Sequence, residues 1–554
     1  MMREHRGISK VALAIALVII VIVAGVAVYL YLYQGPRLAD TIIIGTTDRI
    51  SDLDPANAYD FFTWEVFLNI GEGPFVYEPE TLKLKEGIIS SYEVQEGGKV
   101  YVLHLRQGVK FPNGKEVTAD IMKYSIDRVA NLEGDPSWFV LDFVESVEVV
   151  DKYTLKITLQ APVSFYPSVL AVPTYYPVDP DAYPMDQITS DNTAGSVGHY
   201  MIKEWVRDER LVLEANPNYY GEPPKTKRVI IKFYKDSASL RLALESGEID
   251  IAWRTLDPSD IKDLENNPNF NVIEGAGSFI RYIVFNTNIP PFDDPRVRKA
   301  LAAALDRNEL AQTVFLGMME PLYSLVPNGM WSHIDAFKNK YGDANLDLAR
   351  QLLSEAGYSE NNKLQITLWY TPSHYGTTEA DLAALIKDQW ERTGMVEVTV
   401  QSLEWSTYLE RTRNSELMVT LYGWYPDYLD PDNFLYPFLH TGSNRWLGNP
   451  YSDNQMDQWL DDAQVSTDQN ERTQLYKNVQ EKLADDAPIV PILQGKLFLV
   501  SKKSVKGIVV DQLMLLRYWT IYKEEGGGAF LYGIYGLFLA IPTISPRILR
   551  EVDY

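Results

Sequence analysis

Hydrophobic and polar positions along this chain alternate between two rhythms, and a third stretch follows neither. From Lys99 to Arg106, Val100, Val102 and His104 alternate with Tyr101, Leu103 and Leu105, the period-two pattern of a strand. Thr41 to Thr47 is a shorter β-rich run, and Asp52-Leu-Asp-Pro55 comes after it with turn chemistry. Strand patterns recur at 146–160, 227–234, 364–370, 396–403, 417–423 and 496–501. Helical spacing sets in at Thr118, with Thr118 or Asp120 as N-cap and Ile121, Tyr124, Ile126 and Val129 as apolar positions. It returns over Ser237–Glu245, stopped by Gly247, and over a long segment from Pro295 to about Gly317. Further helices are predicted from Asp347 to Ala356, near 377–393 and over 468–486. The body therefore reads as mixed α and β.

The stretch with neither rhythm is Val11–Tyr33, 23 residues without a charge. At about 1.5 Å per residue such a helix crosses a hydrocarbon core of about 30 Å. Arg3, Arg6 and Lys10 precede it and the next basic residue is Arg37, so the positive-inside bias places residues 1–10 in the cytoplasm and the body outside. A cleaved signal peptide has a shorter apolar region and a small-residue cleavage site. Here Tyr29, Tyr31 and Tyr33 end the run, which suits an interfacial anchor. Residues 34–40 read as a linker. Arg6-Gly7-Ile8-Ser9 resembles the pilin-like signal of archaeal surface proteins, which implies cleavage after Gly7 with the apolar helix retained; an uncleaved anchor is the alternative.

Composition narrows the chemistry. There is no cysteine, so disulfides, thiolate metal sites, a cysteine nucleophile and a lipid-bearing cysteine are all excluded. The net charge of −24 argues against nucleic acid or an anionic membrane surface as a partner. No Asn-x-Ser/Thr acceptor occurs. The six histidines, at 5, 104, 199, 333, 374 and 440, show no clustered spacing, so nickel is the less expected ligand, although a chelated metal could be held without a histidine cluster; no metal-ligating residue and no cofactor is assigned. Gly-x-Ser-x-Gly, His-Glu-x-x-His and a phosphate-binding Gly-Lys-Ser/Thr are all missing, so no catalytic residue is assigned. An extracellular glycoside hydrolase with paired carboxylates stands as the rival class. The 12 tryptophans and 35 tyrosines supply stacking area for a sugar or a peptide.

Five segments, in order, carry a family resemblance. They are Val102–Asp120; Gly198–Trp205 with Glu214-Ala-Asn-Pro-Asn-Tyr-Tyr-Gly221; Ala243–Asp250; Phe285-Asn-Thr-Asn288 with Pro291–Leu301; and Gly423-Trp-Tyr-Pro-Asp-Tyr-Leu-Asp-Pro-Asp-Asn-Phe434. Over roughly residues 40–525 the chain resembles the family 5 extracellular solute-binding proteins, the oligopeptide, dipeptide and nickel receptors of ABC importers. The resemblance implies a periplasmic-binding-protein-like α/β fold with an extra lobe, its two faces closing on ligand about a hinge. Lobe I would comprise 41–55, 185–277 and 488–525, lobe II 56–184 and lobe III 278–487. It also implies a receptor, tethered here by the apolar run Val11–Tyr33, that delivers peptides, or else oligosaccharides, to permease subunits.

In peptide receptors of this family the acidic residue three positions after the tryptophan of the fifth segment salt-bridges the peptide's α-ammonium. Here that residue is Asp427, with Trp424 as a stacking wall. A desolvated ammonium gains about 1.5–3 kcal/mol from such a charge-assisted hydrogen bond. A turn role for Asp427 and a core role for Trp424 are the alternatives, and Asp430 and Asp432 read as turn-forming. The tail, 526–554, departs from the family: a Gly-rich link precedes thirteen apolar residues, too few for an ordinary spanning helix.

Overall fold

The structure is a computed structural model that describes residues 39–254, 256–372 and 374–524. The predicted anchor Val11–Tyr33, the pilin-like signal and the apolar tail lie outside these residues. Among the described residues no helix is long and apolar enough to cross a membrane.

Thr41–Thr46 is the strand its β-branched run predicts, and it sits deep in a large mixed sheet. It pairs in parallel with Arg228–Phe233 on one side and Ile251–Trp253 on the other. Outward from Arg228–Phe233 the sheet continues antiparallel through Arg210–Ala215 to Tyr200–Val206. Beyond Ile251–Trp253 it passes through Ile489–Lys502 and Phe270–Phe285 to Val419–Trp424, Leu364–Tyr370 and Val396–Ser402. A separate four-stranded sheet places Ile89–Gln95, Val100–Leu105, Thr154–Leu159 and Val144–Asp151 side by side. Tyr101, Leu103 and Leu105 form its buried face, as the alternation predicts. Helix Ala119–Leu132 covers it, with Thr118 at the N-cap.

Two cores flank the large sheet. One packs residues between Ile280 and Leu493 around Trp390, whose indole donates to the Leu301 carbonyl (3.0 Å). The other joins Ile42 and Ile44 to the four-stranded sheet and to Met514–Ile521. Two long antiparallel strands, Phe270–Phe285 and Ile489–Lys502, run through both halves. Their register shifts between Ala276 and Ile280. At that point a Cβ on Gly277 would meet the Gly495 carbonyl at 2.2 Å, and one on Gly495 would meet the Phe279 ring at 1.6 Å. Only glycine lets the strands close here, and the Phe279 ring then packs against both cores.

Local expectations hold where caps and periodicity agree. Helix Ser237–Glu245 begins at an Asp236 capping box, and Gly247 takes the left-handed conformation, φ 81°. The predicted helix from Pro295 to about Gly317 is instead two helices, Pro295–Ala304 and Arg307–Thr313. Leu305 turns extended and buries its side chain, and the Asp306 carboxylate caps the second helix by accepting the Glu309 N–H. An aspartate that satisfies an orphan N–H itself competes with helix continuation. Helix Phe61–Ile70 escaped the periodicity because it is buried on nearly every face, so no amphipathic stripe marks it.

Candidate functional site

The fifth family segment begins as the strand Val419–Trp424 and ends in the helix Asp432–Leu439. The connecting loop lines a cleft of about 850 Å³ whose other wall comes from residues 59 and 135–160. Both residues singled out in the sequence, Trp424 and Asp427, line this cleft. The Trp424 ring is braced by Phe438 (centroids 5.3 Å apart, edge-on) and Trp446 (5.4 Å). It is half-buried, packing against the core on one side and lining the cleft on the other.

Asn433 holds the pair together. Its side-chain oxygen accepts from the Trp424 indole (3.1 Å) and from the Asp427 backbone N–H (2.9 Å). Its amide nitrogen donates to Asp427 Oδ2 (3.1 Å). The remaining carboxylate oxygen, Oδ1, accepts from the Tyr59 hydroxyl across the cleft (2.9 Å). Asp427 thus has two neutral side-chain donors and no cation among the described residues. Loss of water around it pushes its pKa up to about 6, against the pull of Asn433 and Tyr59. A carboxylate held this way gains from any cation that enters the cleft.

The other two aspartates of the segment differ. Asp430 accepts from the Asp432 N–H, which is the expected turn bond, but it is also buried in a two-pronged ion pair with Arg472 (2.7 and 3.1 Å). Asp432 opens the helix, accepts from Tyr428 Oη (2.9 Å) and Gln464 Nε2 (3.1 Å), and has its pKa pushed up to about 7 by burial and by Asp430.

The loop and Gln464, in the helix Asn454–Val465 beside it, are gripped from the opposite side. Phe165 stacks on Tyr428 (5.4 Å, 9°), Tyr77 Oη accepts from the Leu429 N–H (3.3 Å), and the Ser164 N–H donates to the Gln464 carbonyl (2.9 Å). Sequence reasoning missed Tyr59, Asn433 and the 135–142 turn. Asn433, six residues after Asp427 in an Asp/Pro-rich loop, was within reach of a local argument. Tyr59 was not, because nothing local relates positions 368 residues apart. Among the described residues no group of histidines and acids is arranged to hold a metal.

Comparison with known proteins places this geometry. Residues 83–446 match the family described as "Bacterial extracellular solute-binding proteins, family 5 Middle". The dipeptide-binding protein of Escherichia coli strain K12 is 27% identical over 467 residues, 78% of this chain and 85% of that protein. The ABC transporter-associated periplasmic binding protein DppA from Helicobacter pylori, solved with the peptide STSA, superposes with a TM-score of 0.75 at 24% identity, covering 88% of this chain and 99% of that one. A dipeptide-binding protein from Pseudoalteromonas sp. SM9913, solved with Met-Leu, gives a TM-score of 0.76 at 22% identity, covering 87% and 100%. With the match spanning most of the body, its fold shared with these structures, and its cleft built from the family's fifth segment, this chain belongs to the family 5 bacterial extracellular solute-binding proteins.

Proposed function

We propose that this protein is a membrane-tethered receptor that captures oligopeptides outside the cell and hands them to the permease subunits of an ABC importer. The observation that carries this reading is Asp427, a carboxylate on the wall of the cleft that has no counter-ion among the described residues. A free α-ammonium supplies the missing charge, and Asn433 and Tyr59 hold the carboxylate oriented to meet it. The relatives named for dipeptides support the same ligand class. Trp424 and the surrounding rings would pack on the peptide, while backbone hydrogen bonds would carry an extended ligand with little regard for its sequence. The two long strands are the natural axis for lobes 56–184 and 278–487 to close about, with the glycine crossing at Gly277 and Gly495 as the hinge. A receptor releases its ligand unchanged, so no catalytic group is assigned.

The test compares a free peptide with its N-acetylated form. Asp427→Asn keeps the shape and removes the charge. We expect it to weaken free peptides by about 1.5–3 kcal/mol and acetylated ones much less. Equal losses for both would make Asp427 a loop-holding residue. Tethering rests on the apolar run: the full chain should partition with membranes and stay there in high salt. Its recovery in the soluble fraction would count against the anchor.

A further inference from the structure

The cleft has a strong charge asymmetry that the ammonium contact does not use up. Four carboxylates line it, Asp135, Asp142, Asp427 and Asp432, against one guanidinium, Arg413. None of these five forms an ion pair among the described residues. Asp430 and Asp54, by contrast, are paired with Arg472 and Arg128. Asp432 has its two hydrogen bonds from Tyr428 and Gln464 and is spent on the fold. Asp135 and Asp142 are exposed and accept no side-chain hydrogen bond among the described residues.

Their placement is regular. A 3-10 turn, Asp135–Ser137, runs directly into the short helix Trp138–Leu141. Asp135, Trp138, Leu141 and Asp142 recur at i, i+3, i+6 and i+7, so this turn presents one face, and all four residues line the cleft. The face consists of an indole between two carboxylates. It adjoins the Asp427 site, because the Tyr59 hydroxyl that donates to Asp427 also lies in the field of Asp135.

Resting on the reading of the cleft as a peptide site, we propose that the Asp135–Trp138–Asp142 face makes this receptor selective for basic peptides, receiving the ammonium or guanidinium of a lysine or arginine side chain close to the peptide's free N-terminus. An aromatic face attracts a cation through its quadrupole, and two flanking carboxylates add Coulombic attraction that a neutral side chain cannot draw on. The same charges repel an acidic side chain, so discrimination comes from both directions. Asp427 fixes the end of the peptide, and the 135–142 face reads the charge of the neighbouring side chain.

The experiment is calorimetric titration of the full chain with three tripeptides of equal length, Ala-Arg-Ala, Ala-Ala-Ala and Ala-Glu-Ala. Ala-Arg-Ala should bind roughly tenfold or more tighter than Ala-Ala-Ala, and Ala-Glu-Ala more weakly by a comparable factor. The double substitution Asp135→Asn with Asp142→Asn changes exposed side chains only. It should bring the arginine and alanine peptides within about twofold of each other, whatever factor the loss of charge takes from both. Equal binding of the three peptides, or a preference that survives the double substitution, would overturn the selectivity while leaving the peptide reading intact. If none of the three binds, the peptide reading and the selectivity fall together.

Discussion

Two aspartates in this protein meet opposite fates, and the contrast separates structure from function. Asp54 is fully buried and gripped by Arg128 through two hydrogen bonds of 2.7 and 2.6 Å, with the Thr189 N–H adding a third at 2.8 Å. Arg128 also donates to the carbonyls of Pro184 and Gln187, so the cluster ties the start of the body and the 184–189 segment to helix Ala119–Leu132. These contacts outweigh burial and hold the Asp54 carboxyl below its ordinary value. Asp427 is half-buried and has no cation beside it among the described residues, and its carboxyl moves the other way. A buried charge that already has its partner belongs to the fold. One left with neutral donors at the edge of a cleft is open to a charge that arrives with a ligand, which is the role proposed for Asp427.

The contrast breaks most violently at Arg128. Arg128→Met leaves Asp54 buried without a counter-ion and should cost about 3–5 kcal/mol of stability, read by denaturant or thermal unfolding. A loss below about 1 kcal/mol would mean that the cluster is not the tie described. Asp427→Asn should do the reverse in the ligand-free protein. It removes a charge that the fold disfavours, so at neutral pH the melting temperature should hold or rise, even as free-peptide affinity falls. A clear drop in melting temperature would place Asp427 with Asp54 among the structural carboxylates.

Acidity sharpens the same comparison. The folded pKa of Asp427 is raised, so its ionised form lowers stability progressively as pH rises from its unfolded value of about 3.9 through about 6. Binding an ammonium needs that ionised form. Affinity for a free peptide should therefore be greatest between about pH 6 and 8, fall by up to about tenfold per unit below that window and fall again above it as the α-ammonium deprotonates, while an acetylated peptide shows a flatter profile. Asp54 has a lowered folded pKa, so its contribution is present above about 3.9 and is lost only as pH falls below that value. Identical profiles for the two peptides would remove Asp427 from the ammonium contact. The smallest expected effect is that of Tyr59→Phe. Losing the hydroxyl that donates across the cleft should weaken free-peptide binding by about 0.5–1.5 kcal/mol and shift the acidic limb of the profile upward. An unchanged profile would show that the bond does not tune the carboxylate.

What the sequence determined by itself is what short-range periodicity and capping can encode. The alternation at Lys99–Arg106 becomes the strand Val100–Leu105 with the expected face buried, and Ser237–Glu245 starts and stops where its capping aspartate and Gly247 put it. The order of five segments identified the family, and the fifth of them pointed to Trp424 and Asp427, which the fold brings to the cleft wall. Helix Phe61–Ile70, buried all round, and the break at Leu305 were not legible, because burial by distant segments and a competing cap decide them. Tertiary structure alone decided which charges find partners. Asp430 and Asp427 stand three residues apart in similar local sequence, yet among the described residues Arg472 reaches the first while the neutral Tyr59 and Asn433 reach the second. Local patterning sets which face of an element is apolar, but the state of a carboxylate depends on the charges and the water within a few ångströms of it, and those are set in part by chain segments tens to hundreds of residues away, as Arg472 is 42 residues from Asp430 and Tyr59 is 368 from Asp427.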